Sequence, residues 1–570
     1  MGDIAEDIIL AGGDVLNVYS GELLRMNVTL RGERIFYVGL DPNPSADNNT
    51  KIIDVSGKIL VPGYIDPHFH PWFIYNPVTF SMRAAPLGIT TLICDNLIFY
   101  MIMGVDLFEK FMEAMASMPI KIFWSCRVVP QTPMQEEEEL YSLLNLKRLL
   151  RNPLVKSLGE ITRWPHVIKE DPKIIEMIRF TKTLKKRVDG HTAGAKKNQI
   201  SLLSGAGVES CHEAINSEEA LERLRAGMYV ILRESSLRQD LSELLNIVTE
   251  RRVLTDRLMI TTDSSSPGYY HKYGVMDYLL KIALNKGIEP VLAYKMATIN
   301  PAVYFGMDHE IGGIAPGRYA DIVVLNDIMN PTPEMVISKG QILARDGELI
   351  SSFPGMDWSA FFPMESFYKP DWKAEKSLFK IKIKDARIRF PVINLISPVI
   401  TKLEWEKFNI KDGFLCLNED YQYIALVNRE GRWITNGILK GFAQVDGLAS
   451  SFNTAAQILT IGRDPDAMST AVNRVMEIRG GIVAVQKRRI VYEFSLPLGG
   501  IMSPKPIGEI AKKEDELKSL LKLCGYRFHD PLYTLIFLPN DFLPEVRINY
   551  RGVINIKKDE VLWPRTDMHQ

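Results

Sequence analysis

The chain has 570 residues, too many for one ordinary core, and at about 150 residues per domain it divides into three or four domains or a large barrel with attached modules. Hydrophobic residues make up 46% and charged residues 24%, which excludes an intrinsically disordered chain. Sixty-eight Lys plus Arg against 69 Asp plus Glu leave a net charge of −1, without the positive excess that nucleic acid or an anionic membrane requires. The five cysteines (Cys94, Cys126, Cys211, Cys416, Cys524) are widely spaced and form no CxxC pair, so neither a disulfide framework nor a thiolate metal site is expected.

The start, MGDIAEDIIL, is acidic where a secretory signal would be basic. The most apolar stretch, 89–103, is interrupted by Asp95 and Asn96 and falls short of a membrane span. It reads as a buried strand leading into an apolar loop, in a soluble, cytoplasmic protein.

Residues 6–60 alternate apolar and polar side chains between Gly12-Gly13, Ser20-Gly21 and Gly32, the pattern of short β-strands. From residue 59 the texture changes to short, β-branched apolar runs separated by amphipathic segments. The runs lie at 59–70, 88–95, 121–128, 155–161, 187–193, 207–214, 228–235 and 258–265. Helical spacing marks 134–150, 217–227 and 241–252 between them. Eight strands alternating with helices predict an α/β fold, a (β/α)8 TIM barrel over 61–312. The gap between the fifth and sixth runs leaves little room for a full helix.

A further helix is expected at 290–299, followed by a return to β-structure at ADIVVLN. Residues 313–362 are therefore expected to join residues 1–60 in a small composite β-sandwich module. The proline-bearing, charged segment 363–377 reads as a linker, and 378–570 as a C-terminal α/β domain with strands at 480–486 and 489–496.

The nine histidines are few enough for their positions to matter. His68 and His70 close the first run, Glu160 the fourth, His191 the fifth, His212 the sixth and Asp263 the eighth. Barrel strands point one way, so these six side chains are expected to converge at one mouth. Residues two apart on a strand face the same side, which lets His68 and His70 grip one ion. Imidazole and carboxylate donors suit Mn²⁺, Fe²⁺ or Zn²⁺, and six of them exceed the needs of one catalytic ion, so two divalent metal ions are expected. Taken singly, each residue has a plainer reading as a core histidine or a helix-capping carboxylate. The remaining histidines (His166, His271, His309, His529, His569) have no such placement.

VPGYIDPHFH resembles the PG-(F/L/Y)-IDxHxH signature of the amidohydrolase superfamily. More narrowly, GEI (159–161), DGHTAG (189–194), the pair His212-Glu213, LRESS (232–236), TTD (261–263), NGILKGF (436–442), DGLASS (446–451) and LPLGGIMS (496–503) resemble the bacterial adenine deaminases over nearly the whole chain. That resemblance implies hydrolysis of adenine to hypoxanthine and ammonia by a metal-activated hydroxide attacking C6. It implies two metals, commonly manganese or iron, bridged by Glu160. His68, His70 and Asp263 hold one, and His191 and His212 the other. Asp263 then shuttles the proton to the leaving group. Glu213 either donates to or orients the ring nitrogen next to C6, or serves as a partner of His212. Arg233 and Glu234 either touch substrate or form internal ion pairs. A small-molecule purine is the expected partner, with no nucleic acid or membrane, in a homodimer.

Two stretches depart from that pattern. After HxH the chain reads PWFIYNP (71–77), bulky and aromatic, and ASSFNTAAQ (449–457) lacks the His-Asp-containing stretch of typical members. No metal ligand is lost; both changes bear on substrate choice. The alternatives are a deaminase of a 6-substituted purine, another amidohydrolase acting on a cyclic amide or N-acyl amino acid, or an idle barrel serving as a scaffold.

Overall fold

The computed structural model describes residues 7–41, 50–362, 372–383 and 389–568. The expected linker lies outside the described residues through residue 371, as does His569.

The central domain is a barrel of eight parallel strands in sequential order. They are β1 (Tyr64–Phe69), β2 (Ile89–Asp95), β3 (Lys121–Cys126), β4 (Val155–Ile161), β5 (Arg187–Gly190), β6 (Ser210–Cys211), β7 (Tyr229–Arg233) and β8 (Leu258–Thr261). β1, β2 and β8 are buried along their whole length, as strands covered on both faces must be. Asp66 closes the ring: its carboxylate accepts from Thr261 Oγ1 at 2.6 Å and Thr262 Oγ1 at 2.5 Å, while Thr261 also donates to the His68 carbonyl at 2.7 Å.

Three expectations are corrected. The run 59–70 is two strands, because Ile59–Pro62 pairs with Ile8–Asn17 and Ile322–Leu325 instead of the barrel. The chain passes between domains at Gly63, where a Cβ would lie 2.3 Å from Thr90 Oγ1, so no side chain fits. The expected loop after β2 is a helix, Leu97–Ala116, bent at Gly104 (φ 65°). Its first amide is satisfied by Asp95 Oδ1 at 3.0 Å. Between β5 and β6 a ten-residue helix, Lys197–Ala206, does fit, because both flanking strands are shorter than their apolar runs. It ends on Gly207, whose φ of 107° stops the helix at little steric cost.

Nine strands drawn from Ile8–Pro62 and Ile322–Leu349 make one continuous sheet with its own core, including Leu10, Val28, Leu60 and Ile322. Lys121 anchors it to the barrel through a buried 2.6 Å pair with Asp321.

The C-terminal region carries a second nine-stranded sheet, with the helix Pro465–Glu477 packed on it. A three-stranded sheet follows (Val546–Asn549, Gly552–Asn555, Glu560–Pro564). The segment before that sheet meets the barrel at its strand ends: Tyr533 shares a 2.9 Å hydrogen bond with Ser236, and Arg163 pairs with Asp541 at 2.7 Å. Among the described residues no helix is long and apolar enough to cross a membrane.

Candidate active site

The six expected ligands all stand at the C-terminal ends of barrel strands, where barrel chemistry resides, and the structure brings them together. His191 Nδ1 and His212 Nε2 lie 2.9 and 3.0 Å from Glu160 Oε2 and 3.3 Å from each other. His68 Nε2 and His70 Nε2 lie 3.3 and 3.2 Å from Asp263 Oδ1. His68 Nε2 also stands 3.7 Å from Glu160 Oε2, linking the halves, and its ring stacks on that of His212 with centroids 4.0 Å apart. Three overlapping triplets result, each with ligand atoms within 4.8 Å of one another.

This donor set fits divalent cations. The His68 Nε2 atom is buried without a hydrogen-bond partner among the described residues, and two imidazole nitrogens facing each other across 3.3 Å suit a shared positive centre. Asp263 and Ser264 adopt left-handed backbone (φ 46° and 60°), a costly conformation outside glycine that swings the Asp263 carboxylate back over the mouth.

A shell of charges absent from the sequence reading orients these ligands. Arg127 is fully buried; it donates to Asp95 Oδ2 and Glu160 Oε1. Gln131 Nε2 donates to the same Glu160 oxygen at 3.0 Å, so only Oε2 faces the histidines. Asp95 in turn accepts from Trp72 Nε1 at 3.1 Å and lies 3.6 Å from His70 Nδ1, a carboxylate behind a candidate metal histidine. Burial works against ionisation of Glu160, yet the charge of Arg127 and the facing His191 hold its carboxyl well below the usual carboxylate range. Burial is likewise outweighed at Asp263, where Arg233 and the two histidines hold the carboxyl low. His212, buried beside His68, is pushed down to about 4, which keeps its imidazole neutral and free to ligate.

Glu213 lies beside both His212 (3.5 Å) and His191 (3.7 Å). Arg233 donates to its Oε1 and Arg238 to its Oε2 at 3.1 Å, and against burial these cations hold its carboxyl at about 2. Arg233 also reaches Asp263 Oδ2 at 2.8 Å, so the expected internal ion pairs form with both carboxylates. Glu234 turns away and accepts from Tyr269 at 2.8 Å and the Leu241 amide at 3.2 Å.

The cavity above the ligands measures about 530 Å³. Trp72, Phe73 and Gln131 line it from the barrel; Val399, Phe537 and Phe542 roof it from the C-terminal region. The two departures noted in the sequence touch, since Phe73 packs edge to face on Phe452 with centroids 5.3 Å apart. Arg547, fully buried and without a carboxylate partner among the described residues, donates to the carbonyls of Val399 (2.5 Å), Phe537 (3.4 Å), Leu543 (3.2 Å) and Pro544 (2.7 Å), all residues of that roof.

Asp95, Arg127 and Gln131 were missed because each acts through partners distant in sequence, and Arg547 because its acceptors are main-chain carbonyls. The available signals were charged residues at the ends of apolar runs, Asp95 closing 88–95 and Arg127 near the end of 121–128. The other histidines stay outside the ligand clusters of the described residues.

Residues 59–343 match the family model described as amidohydrolase family, and residues 398–560 match the adenine deaminase C-terminal domain. A putative adenine deaminase of Halalkalibacterium halodurans is 36% identical over 99% of this chain and 96% of its own length. One from Bacillus subtilis is 34% identical over 98% and 95%, respectively. An adenine deaminase of Moorella thermoacetica is 29% identical over 97% and 95%. A strand-end ligand set on an eight-stranded barrel, with family matches in both the barrel and the C-terminal region, places the chain in the adenine deaminase family of the amidohydrolases.

Proposed function

We propose that the protein deaminates adenine hydrolytically to hypoxanthine and ammonia. The carrying observation is the convergence of four imidazoles and two carboxylates beneath a largely apolar cavity in a chain with full-length kinship to this family. His68, His70 and Asp263 would hold one divalent ion and His191 and His212 the other, with Glu160 Oε2 between them. Mn²⁺ suits this mixed nitrogen and oxygen set, as do Fe²⁺ and Zn²⁺. Bound there, the ions would supply a water acidic enough to act as nucleophile near neutral pH.

The chain's own residues supply the rest. Asp263, ionised and facing the ligand cluster, accepts the proton of the attacking water and passes it to the departing amine. Arg233 fixes the second oxygen of Asp263, so that the carboxylate keeps one orientation through the transfer. Glu213, held ionised by two arginines, is suited to accepting an N–H of the exocyclic amine; it is poorly suited to donating a proton. The apolar roof excludes bulk water and strengthens these electrostatic contacts.

Loss of adenine absorbance with stoichiometric ammonia release by manganese-loaded protein tests the proposal; no turnover would overturn it. A second reading, a purine substituted at the 6-position, is favoured by Trp72 and Phe73 in the wall and by the cavity volume, which falls in the range of sites for ligands larger than a bare base. The same assay run on 6-substituted purines separates the two.

A further inference from the structure

Gln131 sits in the loop after β3, is 3% exposed and lines the cavity. Its amide has one possible orientation. Glu160 Oε1, 3.0 Å away, is an acceptor that Arg127 also holds ionised, so the NH₂ group must face it. The carbonyl Oε1 is then left over, and it is buried without a hydrogen-bond partner among the described residues. The loop cannot easily turn this group elsewhere, because the Gln131 main-chain carbonyl accepts the Asp541 amide at 3.0 Å. A buried, orphaned acceptor costs free energy unless a ligand supplies the missing N–H.

Across the cavity the polarity is reversed. β7 lies four strands from β3 in the eight-stranded ring, on the opposite wall. There Arg233 presents Nε and Nη2, buried donors without an acceptor. A purine has the matching asymmetry. Its pyrimidine edge carries lone pairs at N1 and N3, suited to donors. Its imidazole edge carries N–H at N7 in the 7H tautomer. With C6 over the ligand cluster, the pyrimidine edge turned to β7 places N7 towards β3.

We infer that Gln131 is a specificity-determining residue that reads the imidazole edge, its side-chain carbonyl accepting the N7–H of the bound base. The inference rests on the purine reading above. It makes the site selective for bases that carry hydrogen at N7, and it makes purines with a bare N7 lone pair poor ligands, since lone pair would then face lone pair.

Two isosteric probes separate these cases in the manganese-loaded full-length enzyme. 9-Deazaadenine carries a fixed N7–H, whereas 7-deazaadenine has C–H at that position. Wild-type enzyme is expected to favour 9-deazaadenine by about tenfold or more in kcat/KM, or in inhibition constant where turnover is slow, as one buried hydrogen bond warrants. In Gln131→Leu the preference should collapse to within about threefold, with the loss expressed in KM. A merely structural role through Glu160 would lower both probes equally and leave the ratio untouched. Equal use of the two probes by wild type, or a preference that survives in Gln131→Leu, overturns the inference while adenine turnover remains intact. Should Gln131→Leu fail to fold, the wild-type comparison decides alone. Absence of adenine turnover together with no binding of either probe removes the purine reading and this inference with it.

Discussion

Phe73 of the barrel meets Phe452 of the C-terminal region edge to face, at 5.3 Å and 86°. The first belongs to the aromatic stretch after the HxH pair and the second to the ASSF stretch, so two departures from the family pattern form one contact. Such pairs contribute about 0.5–1.5 kcal/mol beyond their burial. Phe73→Ala and Phe452→Ala should therefore couple: the double variant should lose less stability than the sum of the singles by roughly that amount, as measured in a double-mutant cycle of denaturant unfolding. Strict additivity would show that the contact is incidental.

Arg233 holds two carboxylates, the buried Glu213 and the partly buried Asp263. Removing one partner of a buried ion pair typically costs about 3–5 kcal/mol because the remaining charge is stranded. Arg233→Met should lower the melting temperature and reduce kcat by roughly a hundredfold or more. A variant with wild-type kcat would exclude Arg233 from orienting Asp263.

The ligand cluster packs four imidazoles and two carboxylates with several buried nitrogens unpaired. Chelation should accordingly destabilise the protein by roughly 3 kcal/mol for each ion that had been present at about 100 times its Kd. His68→Ala and Asp263→Asn should each bind less metal, as measured by elemental analysis of dialysed protein, and should melt at the temperature of the chelated wild type.

Arg547 ties together the carbonyls of the cavity roof with no countercharge among the described residues, and burial lowers its guanidinium to about 9. Replacing it with Met strands those acceptors, so KM should rise several-fold or more while bound metal stays unchanged. A fall in metal content equal to the fall in activity would place its effect at the ligands and not the roof.

Burial lifts the Asp277 carboxyl to about 6, against hydrogen bonds from backbone amides. A carboxyl raised in the folded state opposes folding wherever it must ionise. Its cost is absent below the unfolded value near 3.8, grows as pH rises, and is complete above about 6. Asp277→Asn should stabilise the protein at pH 8 by about 2–3 kcal/mol and leave it unchanged near pH 4. Unfolding midpoints at the two pH values give the comparison.

The strand-end ligands were readable from the sequence because each is a polar residue closing an apolar run, and the barrel gives all such ends one destination. The local limits were also physical. The run 59–70 looks continuous since strand propensity ignores which sheet a strand joins, and only the crowding at Gly63 separates its halves. The helix after β2 was read as a loop because its first turns, LIFYMIM, carry no polar residue to mark a helical face; Leu97, Ile98, Phe99, Tyr100 and Met103 of those turns are buried. Asp95, quoted only as a break in an apolar stretch, anchors both Arg127 and Trp72. Pairings of this kind arise from neighbouring strands, and no spacing along the chain encodes them.

Because the roof carbonyls and the arginine that gathers them come from residues 399 and 537–547, a growing chain displays all six ligands long before anything covers them. Synthesis thus passes through a stage in which the barrel mouth is open to ions from solution, and residues 537–547, made after all six ligands, are the ones that roof it. Truncation before residue 537 should leave a vessel without a ceiling, able to take up metal yet open to bulk water.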